Sequence, residues 1–333
     1  MNKIKGIKSV DVTVSASGHG VVNWNGSTEL KGHDNTTYNN HTLPKLRGYT
    51  PLSGVVSDKG YNFRKEPIDI DFKLNPLYIS QNCIRHHLFR DHAFDLAYAS
   101  TQEHFHRIIA SQTGLIRGFV IPNKSYKRTS PLLVEDFIEQ TGNGNFEQFG
   151  KAGFKNNNSI FSKTTFGDTE YIGRFSINIE DLQFISLDQK FDRPALIVAE
   201  YGEGQQVADE IVAYLKTIDD TKNPTATYHP NYVRKGTILH QGEVGILLNQ
   251  DAISILVEYT IESIKNLFIK QGKGYMMVDE LKIDYNDTNR TMRMKKDEGC
   301  INPVPTDEYA IYYVAEEPAP AVEEKTAKKS SKK

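Results

Sequence analysis

Two long polar stretches break the apolar periodicity of this chain, and the segments left between them constrain the fold. Residues 15–76 are rich in Gly, Asn, Thr, Ser and Lys; residues 122–158 are basic at first (Lys124, Lys127, Arg128) and then rich in Gly and Asn. Both are too long for ordinary connections and read as functional insertions. Residues 3–14 alternate, with Val10, Val12 and Val14 on one side and Asp11 and Thr13 on the other, the period of a half-buried strand. Ser80 stands at an N-cap position ahead of a helical stretch to about Tyr98. A second helical piece at 101–110 leads into a strand over 114–121. Residues 159–166 and 171–179 are strand-like around Gly167-Asp168, which predicts a hairpin turn. Strand character continues at 182–187 and 195–199. Helices are expected at 206–216, with Val207, Ile211 and Leu215 on one face, and at 250–269, with Ile253, Val257, Ile261, Ile264 and Phe268 as the stripe. A strand over 275–284 follows.

With the insertions set aside, the order is strand, helix, strand, strand, helix, strand. That is the ferredoxin-like or RNA-recognition order, an α+β fold in which an antiparallel sheet is backed by two helices. A single domain is expected over 1–314. Residues 315–333 run Ala/Pro/Glu and then Lys/Ser, lack the apolar surface to fold, and are expected to form a disordered tail.

The chain has 333 residues, 34 of them aromatic, which is enough to bury a sizeable core. No apolar signal-peptide core opens it, and no segment has the length of a membrane span. Cys83 and Cys300 are the only cysteines, so neither a disulfide framework nor a cysteine-based zinc site holds the fold, and a reducing cytoplasm fits. The net charge of −2 hides an asymmetry. Residues 1–128 carry 17 Lys+Arg against 10 Asp+Glu, and eight of the ten histidines, while the remainder is acidic. Such a split suggests a polyanion on one face and a protein on the other.

The helix opening Ser80-Gln81-Asn82-Cys83-Ile84-Arg85-His86-His87-Leu88-Phe89-Arg90 offers free backbone N–H groups beside Arg85 and Arg90. It could hold a phosphate, or be a capped helix with solvated arginines. Lys45, Arg47, Tyr49, Lys59, Tyr61, Arg64 and Lys65 interleave cations with aromatics, the composition of a groove that neutralises a backbone and stacks bases. His86-His87 and His104-Phe105-His106 have no carboxylate or cysteine at metal-ligand spacing, and phosphate or base contacts suit them better. Tyr201-Gly202-Glu203-Gly204 lacks the third glycine of a dinucleotide loop, and Glu203 would repel a pyrophosphate. Catalytic motifs are missing. Asp34, Asp58, Asp69 and Asp71, with His33, are the acids of the first insertion that could assist RNA cleavage, but isolated acids in a polar loop are ordinarily solvated.

Longer runs carry a resemblance. They are Gly18–Gly26 (GHGVVNWNG), Leu43–Tyr49 (LPKLRGY), Leu77–Arg90 (LYISQNCIRHHLFR), Thr113–Gly118 (TGLIRG), Phe161–Tyr171 (FSKTTFGDTEY) and Ile179–Ser186 (IEDLQFIS). Over residues 7 to about 314 the chain resembles the backbone subunit of the type I-F variant CRISPR Cascade effector, of the RAMP superfamily. The resemblance implies a modified RNA-recognition core with inserted fingers and a thumb hairpin, for which 159–179 and 18–75 are both candidates. It implies head-to-tail polymerisation along a guide RNA, presentation of the spacer to target DNA, other Cascade subunits capping the RNA ends, and a recruited nuclease-helicase. On this reading the chain is not an enzyme and holds no metal or cofactor. The expected RNA-binding residues are Lys45, Arg47, Arg64, Lys65, Ser80, Gln81, Arg85, His86, Arg90, Arg117, Lys124, Lys127, Arg128, Lys163 and Phe166. A type III-like target-RNA endonuclease and a generic single-strand-binding protein are the alternatives.

Overall fold

The computed structural model describes residues 4–23, 71–92, 106–122, 125–143, 167–188, 201–238, 240–271, 274–295 and 297–317, with shorter pieces at 28–31, 37–40, 45, 47, 56–57, 60–61, 94, 145–152, 159–165 and 195–196. In chain order the strands are β1 (Ser9–Gly20), β2 (Thr28–Lys31), β3 (Thr37–Asn40), β4 (Val56–Ser57), β5 (Gly60–Tyr61), β6 (Tyr78–Ile79), β7 (Phe119–Ile121), β8 (Tyr126–Arg128), β9 (Leu132–Val134) and β10 (Phe137–Glu139). They continue with β11 (Asn145–Ala152), β12 (Ser159–Thr165), β13 (Asp168–Asn178), β14 (Phe184–Ser186), β15 (Ala226–Arg234), β16 (Glu243–Leu248), β17 (Phe268–Gln271), β18 (Gly274–Asn286) and β19 (Tyr313–Ala315). The α-helices are α1 (Gln81–Leu88), α2 (His106–Ile109), α3 (Ile179–Gln183), α4 (Tyr201–Ile218) and α5 (Gln250–Lys265).

The main sheet runs β17-β18-β1-β13-β10-β6, with β9 also pairing β13, and every pairing is antiparallel. Alternation along β1 sends Val10, Val12, Val14 and Ala16 into the core, while Thr13, Ser15 and Ser17 on the opposite face are only partly buried. On the apolar side they join Phe175 and Ile177 of β13, Ile84 of α1, and Ile253, Leu256, Val257 and Ile264 of α5 in one cluster. A smaller sheet, β14-β16-β15-β19, is packed by α4 and shares that cluster through Ile185, Tyr228 and Ile246. This is an α+β fold with a curled antiparallel sheet, compatible with the RNA-recognition-like core that the resemblance implies.

Buried carboxylates pin the segment after β18 to the polar side of the sheet. Asp11 accepts from Ser176 Oγ at 2.5 Å and from the Met292 N–H at 2.7 Å. Its cross-strand partner Asp284 is fully buried, lies 2.7 Å from Lys295 Nζ and accepts from the Asn302 N–H. Two carboxylates facing each other across a ladder are thus held by separate partners, Asp284 by the Lys295 cation and Asp11 by neutral hydrogen-bond donors.

Several expectations are corrected. The first strand does not end at residue 14 but runs to Gly20, because small side chains at Ala16 and Gly18 let the β1–β18 pairing continue past a bulge at Ser15/Ala16. The expected hairpin at Gly167-Asp168 is absent: β12 pairs with β11, and β13 turns away to lie between β1 and β10. Part of the second insertion is core, since β9 and β10 join the main sheet and bury Leu132, Val134 and Phe137. Residues 113–117 form a π-helical turn, leaving only β7 of the strand expected over 114–121. Helix α1 ends at Leu88, with a 3₁₀ turn at Arg90–His92. Asn178 caps α3, so strand character begins at Phe184 instead of 182; residues 195–196 form a bend. Phe268 lies in β17, beyond the Asn266 cap of α5. Residues 315 and 316, expected at the start of the tail, belong to the fold: Ala315 pairs with Tyr232, and the Glu316 N–H donates to the Asn231 carbonyl. No helix among the described residues is long and apolar enough to cross a membrane.

Candidate nucleic-acid interface

Ser80 is the N-cap of α1, in extended conformation (φ −67°, ψ 147°), with its Oγ accepting from the Cys83 N–H. Two further donors converge on that hydroxyl, Asn23 Nδ2 at 3.2 Å and Lys45 Nζ at 3.5 Å. Burial pushes the Cys83 thiol up, opposed by Asn23 and Lys45. The Gln81 N–H donates to Asp136 Oδ1 at 2.8 Å, and Asp136 Oδ2 pairs with Arg47 Nη1 at 3.1 Å. A protein carboxylate therefore already sits at the helix start where a phosphate was expected.

Beside this cap lies an open groove of 470 Å³. Val134, Ile138 and Ile172 supply its apolar lining, Gln81 and Gln140 its amides. Arg47 sits in it with Asp136, and Arg293 and Arg174 share Glu135, at 3.0 Å and 3.8 Å. Three guanidiniums face two carboxylates; the guanidiniums are a third to more than half exposed and, among the described residues, paired only with side chains, so they can exchange partners for phosphate oxygens. The elements around the groove are also joined in sequence by separate two-stranded ribbons. The segment from β1 to β6 carries β2–β3 and β4–β5, and β10 and β13 flank the β11–β12 hairpin.

The expected residues divide. Lys45, Arg47, Ser80 and Gln81 come together at this site. Arg85 does not join them: its Nη1 and Nη2 donate to the carbonyls of Leu132 and Arg117 at 2.8 and 2.7 Å. Burial, then the Arg117 charge, hold its pKa down. Arg117 itself has a buried Nη1 without a hydrogen-bond partner among the described residues. Arg128 is buried, donates to the carbonyls of Phe184 and Asp181, and has its pKa lowered to about 10 by burial, against the raising effect of Asp181 and Tyr313. Arg85, partly buried, and Arg128, buried, thus fasten the fold through backbone carbonyls.

Arg90 is exposed but lines a different cavity, of 280 Å³, with His87, Asp91, His92, Tyr259 and Ser263. An eight-residue helix is about 12 Å long, so Arg90 and the Ser80 cap are separate features. His86 is exposed and meets His87 edge to face; burial, His86 and Arg90 lower the His87 pKa. Lys127 is half-buried in β8, and Lys163 lies in β12. Arg64, Lys65, Lys124 and Phe166 lie outside the described residues, as do Asp34, Asp58, Asp69 and His33. Asp71 closes a turn, its Oδ1 accepting from the Lys73 N–H. Among the described residues no group of three or more His, Cys, Asp or Glu converges as a metal site. A Cβ on Gly204 would strike the Tyr228 ring at 2.3 Å, so that glycine serves helix-to-sheet packing.

Sequence reasoning missed Arg174, Arg293, Asp136 and Gln140. Arg174 was recoverable, since it alternates with the core positions Gly173 and Phe175 of β13. The family model described as Type I-Fv CRISPR-associated protein Cas7fv-like matches residues 6–316. No curated protein matches the chain.

Proposed function

The chain belongs to the Type I-Fv CRISPR-associated Cas7fv-like family, backbone subunits of a CRISPR effector, and from that membership we propose that it coats guide RNA and presents the spacer to target DNA. The observation that carries this reading is the groove beside the α1 cap, with Arg47, Arg174 and Arg293 around an apolar lining. Exchangeable guanidiniums neutralise a backbone without reading its sequence, while base pairing by the guide supplies specificity. Repeated copies follow one another head to tail, each covering a short stretch of spacer, and other Cascade subunits cap the RNA ends. In this reading the β11–β12 hairpin is the thumb, replacing the 159–179 candidate. The subunit cleaves nothing, and target degradation depends on a recruited nuclease-helicase.

The test is RNA binding by purified chain over a series of salt concentrations, with unrelated spacer sequences. Similar affinities and a steep salt dependence are expected, both reduced by Arg47→Ala with Arg293→Ala. Binding confined to one sequence, or a salt slope unmoved in the folded double variant, contradicts the reading. Regular metal-dependent cuts in bound target RNA would favour the endonuclease alternative.

A further inference from the structure

At the end of the main sheet, where β1 gives way to the first insertion, His19 and Tyr275 are cross-strand partners. Their rings stack, with centroids 6.2 Å apart and planes at 29°. Both are open to solvent: the His19 side chain is 53% exposed and Tyr275 44%. Phe268 and Met277, opposite one another in the β17–β18 ladder and each about half exposed, continue the same face. This close approach of strands depends on glycine. A Cβ on Gly18 would lie 2.3 Å from the Tyr275 carbonyl oxygen, and one on Gly274 would lie 2.6 Å from the His19 carbonyl oxygen.

The charges around the stack select its occupant. His19 Nδ1 is 2.9 Å from Asp168 Oδ1, Ser17 Oγ donates to Asp279 at 2.9 Å, and Glu170 is the β13 partner of Ser17, while the exposed Lys270 is the β17 partner of Tyr275 and the one cation paired with the stack among the described residues. These carboxylates repel phosphate and acidic protein surfaces, yet accept hydrogen bonds from the exocyclic amino groups of bases. A nucleobase matches both halves of the site, a flat π face for the rings and N–H donors for the acids. Position agrees. His19 precedes Asn23 by four residues, so at most about 14 Å of chain separates the stack from Asn23, whose Nδ2 bonds Ser80 Oγ at the α1 cap. One strand of RNA can reach both.

We propose that the His19–Tyr275 pair is a stacking platform for one nucleobase of the RNA whose backbone occupies the arginine groove. The proposal rests on the RNA-binding reading and adds a contact of a different physical kind. Stacking releases no counterions, so it contributes to affinity without contributing to salt dependence.

The experiment measures binding of a short single-stranded RNA, sized for one chain, by wild type, Tyr275→Ala and Tyr275→Phe across several salt concentrations. Circular dichroism confirms that each variant is folded. Tyr275→Ala should weaken binding roughly tenfold with an unchanged salt slope, and Tyr275→Phe should retain wild-type affinity. Wild-type binding with no loss in Tyr275→Ala overturns the platform and leaves the groove reading intact. No RNA binding by the wild type overturns both. A loss seen only in multimers on long RNA, and not with the short RNA, overturns the platform and assigns this face to a second copy of the chain.

Discussion

Arg85 donates through Nη2 to the carbonyl oxygen of Arg117 at 2.7 Å, so the side chain of one cation is fixed by the backbone of another. Its Nη1 holds the Leu132 carbonyl, and the guanidinium thereby ties α1 to the π-helical turn and to β9. Arg85→Ala should cost about 2–4 kcal/mol, because two carbonyls lose charge-assisted partners. The denaturant midpoint checks this, and the salt slope of RNA binding should not change. A folded variant of unchanged midpoint and altered slope would put Arg85 on the RNA.

Arg293 and Arg47 are the groove cations with the most exposed side chains. Replacing either with alanine should weaken RNA binding about equally for all spacer sequences and reduce the salt slope by about one. Loss of affinity for one sequence alone would mean that the arginine reads a base.

Asp136 occupies the α1 N-terminus and pairs with Arg47. Asp136→Asn keeps an acceptor for the Gln81 N–H but removes the competing anion. It should tighten RNA binding severalfold at low salt, an effect that fades as salt rises. Weaker binding in this variant would show that Asp136 holds Arg47 in its working position.

Alkaline stability should reflect buried phenols. Burial pushes Tyr171 up to about 12, with a Thr169 hydrogen bond opposing and Glu139 adding. Burial also raises Tyr309 and Tyr313. A raised phenol contributes stability that is present below the unfolded value near 10 and lost as pH climbs through the folded one. For Tyr171 the loss between about pH 10 and 12 is on the order of 3 kcal/mol. Tyr171→Phe should flatten the stability curve in that window, as read by denaturant unfolding at stepped pH; an unaltered curve would contradict the assignment.

What the sequence made legible follows from range. The valines of β1, the stripes of α4 and α5, the strand β18 and the Ser80 cap are local signals, and each stands where its pattern put it except for Phe268, which the α5 stripe included and β17 takes. The three-residue strands β9 and β10 were hidden in a polar stretch, too short for a period to emerge. Gly167-Asp168 has the chemistry of a hairpin, but β1 and β10 claim β13 as a central strand, and tertiary pairing overrides the turn signal. The site was half legible. Arg47 and Gln81 were expected, whereas Arg85 and Arg128 are held by carbonyls 32 to 56 residues away, which no local pattern encodes.

The central claim, that copies of this chain coat a guide RNA, is tested most directly by purifying the complex assembled on guides of stepped spacer length. Native mass spectrometry then gives RNA length and copy number together. The account predicts that copies of this chain rise in regular steps with spacer length, each step protecting a fixed number of added nucleotides. A small oligomer of constant size on every guide, or particles without RNA, would contradict it.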